Sequence, residues 1–140
     1  MRMLAFALAG GVGCVAHAQP TQLAVASALE PGLWQLQAEG EAPRKICVGP
    51  DTGALVQVRH AGTACSRLVI ANQKSSATVH YSCPGAGWGR TTVKMVTPRS
   101  VTLDTQGIAA NAPFAFTADA RRMGDCPTKS ASLNRANLPR

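Results

Sequence analysis

Between Leu33 and Ala38 apolar and polar side chains alternate, with Trp34 and Leu36 on one face and Gln35 and Gln37 on the other, as in a half-buried strand. The same period recurs along the chain. Arg44 to Val48 turns Ile46 and Val48 inward and stops at Gly49-Pro50, because proline cannot continue a central ladder. Arg67 to Ala71 and Thr78 to Cys83 flank a polar stretch, Asn72 to Ser76, that reads as a hairpin loop. If Val69 faces Val79 across that hairpin, Arg67 faces Tyr81 and Cys65 faces Cys83. After a breaker cluster at Pro84 to Gly87, Thr91 to Thr97 carries Val93 and Met95, and Pro98-Arg99 turns the chain into a strand with Val101 and Leu103. Gln106 to Asn111 reads as a loop, and the last strand puts Phe114, Phe116, Ala118 and Ala120 on one face.

Only Asp51 to His60 departs from this period. There Leu55 and Val58 lie three apart and Asp51 is placed to cap a short helix. The predicted fold is therefore mainly β, an antiparallel meander curling into a barrel or half-barrel, with at most one short helix.

The two ends read differently from the middle. Residues 1–18 have a basic start at Arg2, an apolar run from Leu4 to Ala16 and small residues at Ala16-His17-Ala18, the pattern of a signal peptide cleaved after Ala18. The apolar run is shorter than the roughly 20 residues of a spanning helix and is diluted by Gly10, Gly11 and Gly13. Lipoprotein anchoring at Cys14 ranks below soluble export, since Gly11 stands where a lipobox has leucine. Residues 19–30 have no clear period and are expected to be a flexible leader, residues 31–127 the folded domain, and residues 128–140 a basic disordered tail.

Composition sharpens this picture through cysteine. An apolar fraction of 46% supports one core in 140 residues, yet so small a domain gains much from covalent staples. Of five cysteines, Cys14 lies in the signal, leaving Cys47, Cys65, Cys83 and Cys126, an even set in an exported chain and hence a disulfide framework. Four cysteines permit three pairings, and the hairpin register favours Cys65 with Cys83 and Cys47 with Cys126. A zinc site or redox pair fits less well, because no Cys-x-x-Cys spacing exists.

Four segments are similar, in order and spacing, to the bacterial family catalogued as domain of unknown function 3617. They are Pro31-Gly32-Leu33-Trp34, Cys47-Val48-Gly49-Pro50-Asp51, Val79 to Gly85 followed by Gly87 and Gly89, and Ala120-Arg121-Arg122-Met123-Gly124-Asp125-Cys126-Pro127. The resemblance implies a small exported four-cysteine protein of Gram-negative bacteria, and it brings no assigned reaction.

Candidates for chemistry are few. Beyond the signal only His60 and His80 remain, with no Gly-x-Ser-x-Gly elbow and no His-Glu-x-x-His helix, and His80 falls on the face opposite Val79 and Tyr81. Glu39, Glu41, Asp51, Asp104, Asp119 and Asp125 lie mostly in turns or outward positions. No catalytic residue, metal or cofactor is expected. Trp34, Tyr81, Trp88, Phe114 and Phe116 fit an ordinary core better than a cavity lining. The formal charge of +7 draws on Arg44-Lys45, Arg121-Arg122, Lys129, Arg135 and Arg140 and allows weak contact with anionic surfaces. Nucleic acid is not an expected partner, since no aromatic-interleaved basic motif accompanies the charge. The expected role is a non-catalytic periplasmic or cell-envelope domain that acts by binding or structural support, its partner an unknown envelope component. The alternatives are a carrier of a small apolar ligand in a barrel cavity and an uncharacterised envelope enzyme.

Overall fold

The computed structural model describes residues 22–128. The expected signal peptide, Cys14 and the expected tail from residue 129 onward lie outside the described residues. Seven strands run in chain order as β1 (Gly32–Ala38), β2 (Arg44–Val48), β3 (Ser66–Asn72), β4 (Ser76–Cys83), β5 (Gly87–Thr97), β6 (Ser100–Ala109) and β7 (Ala112–Gly124), with one helical turn, α1 (Gly53–Val56), between β2 and β3. They form a single antiparallel sheet in the order β2-β1-β7-β6-β5-β4-β3. The meander from β3 to β7 is extended by the β1–β2 hairpin, so β2 and β3, consecutive in sequence, are the two edges. The sheet curls without closing, and the segment from Gly49 to Cys65 must cross between its edges as a strap.

The strap lies on the concave face. Leu55, Val56 and Val58 are buried there against Trp34, Leu36, Val79, Tyr81, Val93, Val101, Leu103, Ala118 and Ala120, inward residues of five strands. Burial on this face is the main favourable term, about 1.5–3 kcal/mol for each large apolar side chain enclosed. The strap is also held by polar groups, since buried Thr91 Oγ1 donates to the Val56 carbonyl at 2.8 Å and lies 2.7 Å from Thr105 Oγ1. Gly89 stands opposite Tyr81 in the ladder, and a Cβ there would overlap the tyrosine ring, so glycine is what lets Tyr81 lie flat on β5.

Two disulfides fasten the ends. Cys65 is bonded to Cys83 where the β3–β4 ladder begins, in the register that sets Val69 against Val79 and Arg67 against Tyr81. Cys47 at the end of β2 is bonded to Cys126 just beyond β7. Sequence separations of 18 and 79 correspond to about 3 and 4.5 kcal/mol of constraint on the unfolded chain in the loop-entropy model.

The structure corrects several readings of the pattern. Within the supposed leader 19–30, Ala24–Ala28 is a 3-10 helix, and Leu23, Val25, Ala26 and Leu29 are buried. Its apolar residues are too few to show a period, yet they fill concave surface beside β4, and Asn72 clamps the segment through Ala24 N–H at 2.7 Å and the Gln22 carbonyl at 3.1 Å. The folded unit therefore begins before residue 31. The supposed loop 106–111 is strand up to Ala109, because Ala110 (φ 49°) and Asn111 (φ 60°) make a two-residue turn of the kind that follows strand twist. Gly87, placed among the breakers, is the first residue of β5. Between Asp51 and His60 only one helical turn forms. Its N-cap is Thr52, whose side chain makes no capping bond, and it is Asp51 Oδ1 that accepts the Gly53 N–H at 3.2 Å.

Candidate ligand-binding cleft

Among the described residues the two histidines, His60 and His80, are engaged in packing. His60 is buried, with Nδ1 3.1 Å from the Tyr81 hydroxyl and Nε2 3.0 Å from the Ala86 carbonyl. A carbonyl only accepts, so Nε2 donates, and Nδ1 of the neutral ring accepts the Tyr81 proton. Burial pushes the Tyr81 phenol above its ordinary pKa. Both ring nitrogens are thus committed. On the convex face His80 stacks on Trp88, with ring centroids 5.5 Å apart. Among the described residues, no group of three or more His, Cys, Asp or Glu side chains is placed to hold a metal ion.

The aromatic residues separate into two groups. Trp34 and Tyr81 are fully buried in the core, and Phe116 packs against it beneath the Arg59 guanidinium, 4.5 Å from the ring centroid. Trp88 is not a core residue; at 38% exposure it lies on the convex face beside Ile108, its ladder partner. Phe114 tilts against His60 and Phe116, with centroids 6.2 Å from each. None of the five lines the opening beside β3.

That opening is a cleft of about 530 Å³ where β3 fails to meet β2. The strap and the segment before the 3-10 helix cover the gap without filling it. Its apolar walls are Leu23, Val56, Val69 and Val79; its polar groups include Asp51 and Arg67. The volume lies within the roughly 300–1,000 Å³ of small-ligand sites, which are likewise mostly apolar with a few placed polar groups.

Asp51 and Arg67 are also shared with a second hollow of about 340 Å³, which is lined by Gly53, Gln57, Gly62 and Thr63 and is more polar. Arg67 alternates with Val69 on the inward face of β3, and Gln57 fixes its head, accepting from Nε at 2.9 Å and from Nη2 at 2.5 Å. The Gln57 amide nitrogen is held in turn by the Thr63 carbonyl at 3.2 Å, so Arg67 is positioned by the strap rather than by a counter-charge. A Cβ on Gly53 would stand 2.8 Å from Arg67 Nη2 and 3.1 Å from Asp51 Oδ2, so both groups converge over this glycine without forming an ion pair. Between them Thr52 is held at φ 56°, ψ 17° and is buried; a β-branched residue in the left-handed region costs on the order of 1–3 kcal/mol and marks a segment shaped by its surroundings.

Sequence reading placed Arg67 opposite Tyr81 and Asp51 at a cap, but it did not join them. The available signal was an arginine on the inward face of a strand, next to Val69, which an ordinary core would exclude. Gln57 and Leu23 gave no signal. Among the basic pairs, Arg44 and Lys45 are exposed on β2. Arg122, by contrast, is used internally, with its side chain 14% exposed, donating to the Pro31 carbonyl at 2.9 Å and pairing with Asp125 at 2.7 Å.

The model of the family described as protein of unknown function (DUF3617) matches residues 29–126. The chain belongs to this family. No curated protein and no solved structure matches it. The matched region holds both disulfides, the whole sheet, Asp51, Gln57 and Arg67; Leu23, at the far wall of the cleft, lies before it.

Proposed function

We propose that this member of the DUF3617 family is an exported, non-catalytic binding domain of the bacterial cell envelope, periplasmic in location, that takes a small ligand with an apolar body in the cleft beside β3. The single observation that carries this reading is the cleft itself, about 530 Å³ of mostly apolar space beside the packed core of a half-barrel. Two disulfides and the signal pattern of residues 1–18 support an oxidising compartment. The engagement of His60 with Tyr81 and Ala86 supports a role without chemistry.

Displacement of the fluorophore N-phenylnaphthylamine tests the proposal. The protein is expected to enhance its emission, fatty acids to compete it off, and Val69→Trp, which fills the cleft, to abolish the signal while leaving the circular dichroism spectrum unchanged. An enhancement that survives Val69→Trp would place the probe elsewhere and overturn the reading. Quenching of Trp34 or Trp88 is a poor reporter, because neither lines the cleft.

A second reading, contact with an envelope protein by strand addition, is favoured by the edge strand β3, on which Leu68 is 62% and Ile70 48% exposed. A photo-crosslinking residue at Ile70 is expected to give an adduct in cells and one at Lys45, on the opposite edge, none. Equal labelling at both positions would remove this reading.

A further inference from the structure

We infer that the ligand of the cleft is a single-chain zwitterionic amphiphile, its acyl chain in the apolar chamber, its anionic group on Arg67 and its cationic group on Asp51. The inference rests on the reading of the cleft as a ligand site and adds the chemistry of the head. Two adjoining hollows share Asp51 and Arg67 as their common wall: the larger is walled by Leu23, Val56, Val69 and Val79, and the smaller is polar. A molecule that uses both must change from apolar to polar where those two side chains stand.

The valences left at that point decide the head. Arg67, an exposed residue, gives Nε and Nη2 to Gln57, and among the described residues Nη1 has no hydrogen-bond partner. Asp51, likewise exposed, accepts the Gly53 N–H on Oδ1, and Oδ2 has no partner among the described residues. Among the described residues neither side chain forms an ion pair, although both approach Gly53, whose missing Cβ leaves room for the guanidinium. A purely anionic head would meet Arg67 and be repelled by Asp51, and a purely cationic head the reverse. A head carrying both charges in sequence, as a phosphoester next to an ammonium does, satisfies each, and charge-assisted hydrogen bonds are the stronger kind. The gap in the sheet explains access, since β3 is an edge and the chamber opens beside it.

The test is calorimetric titration of the protein with dodecylphosphocholine, dodecanoate, dodecyltrimethylammonium and dodecyl maltoside, each below its micelle-forming concentration, and with phosphocholine lacking a chain. Dodecylphosphocholine is expected to bind about tenfold more tightly than the other three, a margin of about one charge-assisted hydrogen bond. Asp51→Asn is expected to weaken dodecylphosphocholine and to strengthen dodecanoate, and this reversal of sign is something a merely structural role for Asp51 would not produce. Arg67→Met weakens both, and Arg67→Lys restores part of the loss. Equal affinity for all four detergents, still abolished by Val69→Trp, would overturn the head assignment and leave the cleft as an apolar site. Phosphocholine alone binding as well as the detergent would overturn the amphiphile. Failure of every probe to bind would overturn the cleft reading with it.

Discussion

At one end of the concave face His60, Tyr81 and the Ala86 carbonyl meet with every polar atom answered, and Phe114 and Phe116 close over them. At the other, along β3, Val69 and Val79 face open volume and Arg67 is held by an amide rather than a carboxylate. Both regions belong to the same sheet and the same strap. The difference follows from topology: β4 to β7 have neighbours on both sides, whereas β3 has one, and the strap that replaces its missing neighbour must span the gap with loop rather than ladder. A packed interior and an open cleft thus arise in one core.

The largest test of this contrast removes the staple that ties the end of β2 to the segment after β7. Replacing Cys47 and Cys126 by serine together is expected to cost about 4.5 kcal/mol by denaturant unfolding, the loop-entropy figure for its separation of 79. Next come paired overpacking variants. Val101 and Val79 are both buried on the concave face, but only Val79 lines the cleft, so Val101→Phe is expected to cost about 1–3 kcal/mol and Val79→Phe under about 1 kcal/mol. Equal costs would show the cleft to be no more yielding than the core. Tyr81→Phe is expected to cost about 1–2 kcal/mol, because it deprives His60 Nδ1 of its donor without changing shape.

The smallest effect is one of pH. Tyr81 is the single tyrosine, so phenolate absorbance reads it directly, and its folded midpoint is expected above 10.0, returning to about 10 in denaturant. Since the folded pKa is the higher one, the stability linked to this group is complete below the unfolded pKa and falls as pH rises through the folded one. A midpoint at the unfolded value would mean that the His60 end is as open to water as the seam.

Much of the ladder was legible from alternation alone. Trp34 with Leu36, Val69 opposite Val79, and Phe114 through Ala120 sit on the faces their period predicts, because side-chain direction in a strand depends only on position parity. Asn111 and Gly107 pointed to a loop that the structure shortens to a turn, since turn-prone residues are also tolerated in a strand where backbones approach closely. The cleft was less legible. Arg67 and Asp51 are separated by the whole strap, and their convergence depends on Thr52 adopting a positive φ and Gly53 leaving space, which no spacing rule encodes. Leu23 and Val25 went unread for a related reason: a short apolar run has no period, and only a surface needing cover gives it a place.

By itself the amino-acid order determined the strands, their inward faces and the family membership, all of which rest on local periodicity and short motifs. What only the tertiary structure decided is which strands become edges, and therefore where the interior stays open. That outcome depends on β1 pairing with β7, a contact between the two ends of the domain, and such long-range pairing leaves no mark on the neighbours of either strand in sequence.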